Sequence, residues 1–278
     1  MANWSEIEDE LIIADYFQML HAEIAGINYN KSEHRKKLQK QLNNRTDSSI
    51  EFKHQNISAA LINNGLPYIK GYKPRWNYQQ LLEDKISIYV NRNKDLEKDF
   101  TTFSNVKIEV PLMEIQYENW EVPPPPREPA LLKEPKVKYY KPIKKNYLEQ
   151  EQQNRSVGEA GERLVFAYEK WKLIQAGQSK LAKEIKWVSK DEGDGAGFDI
   201  LSKDLKGSDI FIEVKTTTLG KETPIFFSKR ENDFSNDNKI AFYLYRVFDA
   251  RHQPKMFLRN GCFQDICHIL PINFKGIF

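Results

Sequence analysis

The chain of 278 residues contains only two cysteines, Cys262 and Cys267. Two thiols cannot build a disulfide scaffold or a four-cysteine zinc site, so both are expected to be reduced side chains. No apolar run approaches the roughly 20 residues that a membrane helix needs. The first residues, MANWSEIEDELIIADYF, are acidic and lack the basic start and apolar stretch of a signal peptide. These absences favour a cytoplasmic protein that has no membrane partner.

Two classes of motif are also missing. The loop 193-GDGAG-197 lacks the G-x-G-x-x-G spacing, and no G-K-[S/T] occurs in the chain, so no nucleoside triphosphate or other organic cofactor is expected. The histidines show no zinc-ligand spacing, which argues against the HNH class of nuclease. We interpret the loop as tight backbone geometry that delivers the following residues to a strand.

Positive charge is concentrated in one proline-rich segment. The whole chain has a formal net charge of +3, whereas residues 123–146 contain seven Lys or Arg and only two Glu. The segment begins with four consecutive prolines and contains three more. Because proline removes a backbone donor and fixes φ, we predict an extended linker between domains. Such a basic linker could follow a phosphate backbone or could be a solubilising tether.

The two sides of the linker differ in periodicity. Residues 1–105 show helical spacing, and Ser5 with Glu8 fits a capping box at the first helix. Residues 106–150 combine a short extended piece with the linker, and residues 151–278 mix helical and strand patterns. We predict an α+β protein of two domains, with an all-α head and an α/β domain built on a mixed central sheet. Helices are expected near 32–43, 48–63, from about Trp76 onward, 157–176 and 229–237, and strands near 184–189, 197–203, 209–216, 240–248 and 255–259.

Two of these strand patterns carry the residues that suggest chemistry. Alternation in 210-IFIEVKT-216 places Glu213 and Lys215 on one strand face. If the strands form an antiparallel hairpin that pairs Leu201 with Phe211, Asp199 lies opposite Glu213, with Cβ atoms about 5 Å apart. Carboxylates that close repel each other unless a cation lies between them, and Mg²⁺ is commonly held by one or two carboxylates. Lys215 could then stabilise charge on a phosphate or activate water, which predicts metal-assisted phosphodiester hydrolysis.

Simpler interpretations remain open for the same residues. Glu213 and Lys215 could be an ion pair on a solvated strand face, since a lone E-x-K triplet is common. Ser228 and Glu231 form S-x-x-E, which is typical of a helix capping box, with a role for Glu231 in the active site as the alternative.

Asp199, thirteen residues, and then Glu213-Val214-Lys215 resemble the motif of the PD-(D/E)xK nuclease superfamily. The resemblance implies that Asp199 and Glu213 bind Mg²⁺, with Mn²⁺ as a substitute, and that Lys215 assists the attacking water. It also implies a third metal-binding carboxylate from the preceding helix, for which Glu162 is the candidate and Glu159 the reserve. The sequence departs from the motif at one position, because Phe198 stands where the motif has proline.

The blocks GEAGERLV, WVS, GDGAGFDI, FIEVKTT, FFSKRE and FYLYRVF, within about residues 155–260, resemble the NO VEIN C-terminal domain family. This family is similar to a branch of the same nuclease fold, so the resemblance implies a restriction-endonuclease-like domain. Catalysis is not implied for every member. A non-catalytic module that retains the fold and binds DNA or protein is therefore the alternative.

The N-terminal part has a resemblance of its own. NYNKSEHRKKL, SSIEFKHQNISAAL and GLPYIKGYKPRWNYQ are similar to the helical head domain of McrA-type endonucleases, which cut modified DNA. These segments mix cations, amides and aromatics, which suits phosphate contact and base stacking. The candidate nucleic-acid contacts are Lys53, His54, Gln55, Asn56, Lys73, Arg75 and Trp76. The first four of these residues could also be the exposed face of a helix.

Together these features predict a Mg²⁺-dependent DNA endonuclease of the restriction or antiviral defence class, with modified DNA as a candidate substrate. DNA rather than RNA is implied by the resemblances alone. A homodimer is a candidate assembly, because cutting both strands requires two active sites.

Overall fold

The computed structural model describes residues 4–108, 115–126, 145–193 and 195–273. The linker prediction for 127–144 lies outside the described residues. Within these ranges the chain divides into two compact units. The head unit contains residues 4–107, 145–154 and 222–224, and the sheet unit contains 108, 115–126, 155–193, 195–221 and 225–273.

Helices form the described part of the head unit. The first begins as predicted, because Glu8 N–H donates to Ser5 Oγ at 3.2 Å and Ser5 N–H donates to Glu8 Oε2 at 2.9 Å. Apolar residues at helical spacing, among them Ile12, Ile50 and Ile57, are fully buried in its core. The helices are α1 (Glu6–Ala25), α2 (Lys31–Gln39), α3 (Asp47–Asn63), α4 (Gln80–Arg92), α5 (Leu96–Ser104) and α6 (Tyr147–Gln152).

The start of α4 differs from the sequence-based expectation. The helix was predicted from about Trp76, but it begins at Gln80. The segment before it is tied to α3, since Asn56 Nδ2 donates to the Arg75 carbonyl at 2.7 Å and the Arg75 N–H donates to the Gln55 carbonyl at 3.1 Å. Pro74 also disfavours helical backbone at the residue before it.

The ion pair between Glu8 and Arg45 supplies a pH-dependent part of the stability of the head unit. Arg45 donates to the two Glu8 carboxylate oxygens at 2.8 and 2.7 Å, and both side chains are buried. These hydrogen bonds lower the pKa of Glu8 to about 2. Because the folded pKa is depressed, the stabilisation is fully present above about pH 4.5 and is lost as pH falls through about 2.

We expect Glu8→Gln to lower the free energy of unfolding near pH 7 by about 3 kcal/mol, because it leaves a buried guanidinium beside a neutral partner. The variant should also lose less stability than wild type between about pH 5 and 2. Urea unfolding at a series of pH values measures both effects. Glu6→Gln, at an exposed position in the same helical turn, should follow wild type, and parallel pH curves for wild type and Glu8→Gln would contradict the prediction.

A five-stranded mixed sheet forms the centre of the sheet unit, with strands in the order β1-β2-β3-β4-β5. The β3–β4 pair is parallel and the other neighbours are antiparallel. This confirms the prediction of a helical N-terminal part and a C-terminal mixed sheet. The elements are α7 (Arg155–Gln175), α8 (Ser179–Ala182), β1 (Lys186–Trp187), α9 (Val188–Glu192), β2 (Ile200–Lys203), β3 (Asp209–Thr216), α10 (Lys229–Asp237), β4 (Phe242–Phe248), β5 (Lys255–Asn260) and α11 (Phe263–Ile266).

Helices α7 and α10 pack on opposite faces of this sheet. Gly161 of α7 lies against Thr216, so close that a Cβ on the glycine would be 1.8 Å from Thr216 Oγ1. Phe234 of α10 packs against Phe211, with ring centroids 5.1 Å apart. Thr216 and Phe211 point to opposite faces of β3, because side chains alternate along a strand. No helix in the described ranges has the length and hydrophobicity that a bilayer crossing requires.

The strand predicted at 184–189 is shorter than expected. Only Lys186 and Trp187 pair with β2, and the chain then turns into α9. The turn is fixed by the Ser189 N–H, which donates to the Asp199 carbonyl at 3.1 Å. A predicted six-residue strand is thus replaced by two paired residues and a short helix.

Candidate active site

The hairpin of β2 and β3 places the candidate acidic residues. Leu201 lies opposite Phe211, which confirms the predicted pairing. Asp204 closes the turn, since its Oδ1 accepts from the N–H groups of Lys206 and Ser208, both at 2.8 Å. Asp199 lies directly before β2, close enough to β3 for its charge to act on Glu213.

Three hydrogen bonds to backbone groups of neighbouring segments fix the position of Asp199. Its N–H donates to the Ile212 carbonyl at 2.9 Å, and its own carbonyl accepts from Ser189. Its side-chain Oδ2 accepts from the Val214 N–H at 2.7 Å. The Asp199 carboxylate therefore takes the place of a backbone acceptor beside β3. This bond to the Val214 N–H sets the orientation of the carboxylate.

Buried Glu213 and Lys215 and half-buried Glu231 form a group that we call the lysine clamp. Lys215 Nζ lies 2.7 Å from Glu213 Oε1 and 3.0 Å from Glu231 Oε1. Glu213 is 2% exposed and Lys215 is 8% exposed. An ion pair on a solvated strand face, the simpler interpretation of this triplet, is therefore wrong. Glu231 forms the expected capping box with Ser228 and also belongs to this cluster.

The pKa values of Asp199, Glu213 and Lys215 are all raised, for different reasons. Burial, together with the charge of Glu162, raises the pKa of Asp199 to about 7. Burial and the charge of Asp199 raise the pKa of Glu213 well above its ordinary range. Burial alone would lower the pKa of Lys215, but Glu213 and Glu231 outweigh it and hold that pKa above the ordinary value. The charge of Asp199 thus disfavours ionisation of Glu213, and the charge of Glu162 disfavours ionisation of Asp199.

The helix carboxylate lies beside this group, engaged with other partners. Glu162 Oε2 accepts from Trp187 Nε1 at 2.7 Å and from the Ser189 hydroxyl. Glu159, the reserve candidate, forms an exposed ion pair with Arg155 at 2.6 Å and lies outside the site. Among the described residues, no group of three or more His, Cys, Asp or Glu side chains lies at metal-binding spacing.

The donor set still fits a divalent cation. Mg²⁺ is commonly held by one or two carboxylates together with water and phosphate oxygens, so Asp199 and Glu213 suffice. Burial, and then neighbouring negative charge, raises both pKa values, and a bound cation would favour the ionised form of each carboxylate. Asp199 and Glu213 are therefore the residues that would hold Mg²⁺ or Mn²⁺, with Glu162 next to them.

Arg246 is a charged residue of this region that sequence reasoning missed. It lies on β4 directly beside Lys215 in the parallel register and is 1% exposed. A signal was present in 242-FYLYRVF-248, where an arginine interrupts an otherwise apolar and aromatic strand. The sheet thus carries two buried cations side by side on the face that bears the lysine clamp.

Phe198, which stands in the place of the proline of the nuclease motif, links Asp199 to α10. Its ring centroid lies 4.9 Å from that of Phe211 and 5.0 Å from that of Phe234. Gly197, at φ +91°, brings the loop so close to α10 that an added Cβ would lie 2.9 Å from Phe234 Cβ. The departure from the motif therefore has a packing role.

The structure of the head unit shows which of the predicted nucleic-acid contacts are exposed and which are engaged within the unit. His54 is 1% exposed and packs against Tyr72, so the prediction that its side chain contacts nucleic acid is wrong. Lys53 is bound to Asp9 at 2.7 Å. Gln55 and Asn56 hold the backbone at Arg75, as described above. These four residues therefore make contacts within the head unit, including the segment around Arg75. The alternative prediction, that they form an exposed helix face, is wrong for His54.

The remaining candidates form an exposed patch. Lys73 and Arg75 are exposed and Trp76 is half-buried. The Arg75 guanidinium lies 4.1 Å from the centroid of the Phe52 ring, and Phe52 is 41% exposed. Stacked cations and aromatics of this kind suit contact with phosphates and bases. Phe52 was not among the predicted residues, because its helical position alone did not reveal its contact with Arg75.

We expect Arg75→Ala to weaken DNA binding similarly for all sequences and to reduce the slope of log K against log salt by about 1. The reason is that one phosphate-neutralising cation is removed. Fluorescence anisotropy with a labelled duplex and a labelled single strand, at several salt concentrations, measures the change. Lys98→Ala removes an equal charge from an exposed pair with Asp95 and is the control. An unchanged salt slope in Arg75→Ala would remove this patch as the interface.

The comparisons with known proteins address the sheet unit. The model of the family described as "Protein NO VEIN, C-terminal" matches residues 161–258, well under half of the chain. No curated protein and no solved structure matches the chain. The matched range runs from α7 into β5 and includes Asp199, Glu162 and the whole lysine clamp. Over these residues the chain is similar to the C-terminal domain of protein NO VEIN.

Proposed function

We propose that the sheet unit is a metal-dependent nuclease domain that hydrolyses phosphodiester bonds in DNA. The observation that carries the proposal is the group of Asp199, Glu213 and Lys215, in which two neighbouring acids and a cation share one end of a hairpin. Its PD-(D/E)xK-like spacing and the NO VEIN C-terminal match support it. At such a site a divalent cation would supply activation of water and neutralisation of phosphate charge.

The residues of the chain would divide the work between them. Asp199 and Glu213 would hold the cation, and the hydrogen bond from the Val214 N–H to Asp199 Oδ2 keeps that carboxylate in place. Because Lys215 lies between two carboxylates, it stays protonated. It is therefore suited to hold a negatively charged phosphate oxygen rather than to remove a proton from water.

The head unit is proposed to bind the substrate. Its exposed Phe52, Lys73, Arg75 and Trp76 provide the stacking and phosphate contacts. The resemblance of its sequence to McrA-type heads supports a role in restriction or antiviral defence, with modified DNA as the target. A homodimer would present two active sites to the two strands.

A cleavage assay tests this function. Plasmids that are unmodified, cytosine-methylated, hydroxymethylated or phosphorothioated are incubated with Mg²⁺ or Mn²⁺, with EDTA and Lys215→Ala as controls. We expect cutting that requires metal and falls about 100-fold or more in Lys215→Ala, since electrostatic stabilisation of this kind is worth several kcal/mol. Metal-independent cutting, or full activity in Lys215→Ala, would contradict the assignment.

Two observations favour a second function, a non-catalytic module that binds DNA or protein. Glu162 is already engaged by Trp187 and Ser189, and Lys215 is already held by two carboxylates. Calorimetry with Mn²⁺ separates the two functions. Tight binding that Glu213→Ala removes supports the nuclease, whereas DNA binding without metal binding or cutting supports the module.

A further inference from the structure

The carboxylate of Glu231 serves two partners at once. Its Oε2 accepts from the Ser228 N–H at 2.5 Å, which closes the capping box of α10. Its Oε1 accepts from Lys215 Nζ at 3.0 Å. A capping box requires only the first of these bonds. The second bond therefore needs an explanation beyond the start of the helix.

The charges around Lys215 suggest what that explanation is. Lys215 Nζ is paired with two carboxylates, at 2.7 Å from Glu213 Oε1 and 3.0 Å from Glu231 Oε1. A cation bound by Asp199 and Glu213 would compete with Lys215 for Glu213. Glu231 would then be the carboxylate that still holds the ammonium in the site.

The placement of α10 makes Glu231 suitable for this role. Phe234, one turn further along the helix and on the same side, packs between Phe198 and Phe211. Gly197 also lies close to this ring, since a Cβ added there would be 2.9 Å from Phe234 Cβ. The helix that carries Glu231 is thus packed against β3 by contacts that do not involve the Glu231 side chain.

We propose that Glu231 is a positioning residue that retains Lys215 beside the reacting phosphate when metal takes Glu213. The role in catalysis rests on the proposed nuclease function. The retention of Lys215 is a property of the clamp and can be measured without cleavage.

The test compares Glu231→Gln with Ser228→Ala. A glutamine has one carbonyl oxygen and no charge, so it can accept from Ser228 or from Lys215 but cannot hold the ammonium as an ion pair. Ser228→Ala removes the other half of the capping box and leaves Glu231 intact. It reports the effect of a weakened helix start alone.

The first readout is the rate of reductive methylation of Lys215, followed by mass spectrometry of its peptide with and without Mg²⁺. In wild type and Ser228→Ala we expect Lys215 to remain protected in both conditions. In Glu231→Gln we expect labelling to rise a few fold without metal and about tenfold with metal, because one charged hydrogen bond is lost and metal competes for Glu213. Equal labelling of Glu231→Gln and Ser228→Ala in both conditions would overturn the proposal.

The second readout is single-turnover cleavage at saturating metal and DNA, with Mn²⁺ affinity from calorimetry. We expect Glu231→Gln to cut about tenfold more slowly, with an Mn²⁺ dissociation constant within about threefold of wild type. A loss of Mn²⁺ affinity of about 100-fold would make Glu231 a metal ligand and overturn the positioning role. If wild type neither binds metal nor cuts, the nuclease function fails, while labelling without metal still tests whether Glu231 retains Lys215.

Discussion

Asp199→Asn is expected to abolish metal-dependent cleavage while the protein stays folded. The amide oxygen of Asn can still accept from the Val214 N–H, so the bond that orients this side chain is kept. The substitution removes one of two neighbouring enclosed carboxylates and with it much of the attraction for a divalent cation. Because metal-assisted hydrolysis depends on several kcal/mol of such stabilisation, we expect cleavage to fall about 100-fold or more.

Thermal unfolding gives the same experiment a second readout. Without divalent metal, Asp199→Asn should be as stable as wild type or more so, because the repulsion between Asp199 and Glu213 is gone. Metal should raise the melting temperature of wild type, since a ligand that binds the folded state stabilises it, and should leave the variant unchanged. Asp204→Asn, which alters the turn aspartate of the same hairpin, is the control and should keep activity. Full cleavage by Asp199→Asn would remove Asp199 from the active site.

Gly161→Ala and Gly158→Ala are expected to change stability in opposite directions, although both lie on α7. An alanine in a helix is normally better than glycine by about 0.5–1 kcal/mol, and the Cβ at position 158 would meet only Glu162 Oε1, at 3.8 Å. At position 161 the added Cβ would overlap the side chain of Thr216. Such overpacking costs about 1–3 kcal/mol, so Gly161→Ala should be a net loss.

Urea unfolding of the two variants measures this difference. Thr216→Ala combined with Gly161→Ala should recover part of the lost stability, because the overlapping hydroxyl and methyl are removed. A shift of α7 also moves Glu162, so we expect cleavage to fall in Gly161→Ala and to persist in Gly158→Ala. If both glycine variants gained stability, α7 would not pack on β3 as closely as the structure indicates.

Elements with strong local signals were predicted well from the sequence. Strand β3 at Asp209–Thr216 and helix α10 at Lys229–Asp237 match the expected bounds, since alternation and a capping box define them locally. The register of the β2–β3 hairpin also followed, because its turn residues fix which positions face each other. The proximity of Asp199 to Glu213 was therefore predictable, whereas their direct opposition stays a prediction.

Features that depend on distant parts of the chain were not predictable in this way. The delayed start of α4 is due to bonds from Gln55 and Asn56 on α3 to Arg75. His54 looked like an exposed residue of a polar run, but the packing of Tyr16 and Tyr72 buries it. Glu231 could be assigned to the active site as well as to the capping box only once the position of Lys215 relative to α10 was known. No local sequence pattern predicts that position.

The parallel pairing of β3 with β4 has an evolutionary consequence. Parallel neighbours cannot be joined by a tight hairpin, so any chain that keeps this sheet must keep a crossover between the two strands. In this protein α10 lies on that crossover, and the topology brings it over the face of β3 that bears Lys215. A carboxylate that a mutation introduces on this side of α10 can contact Lys215 without any change of fold. Descendants could therefore gain, lose or move such a residue along α10 while the sheet, and the Asp199–Glu213 hairpin within it, stays the same.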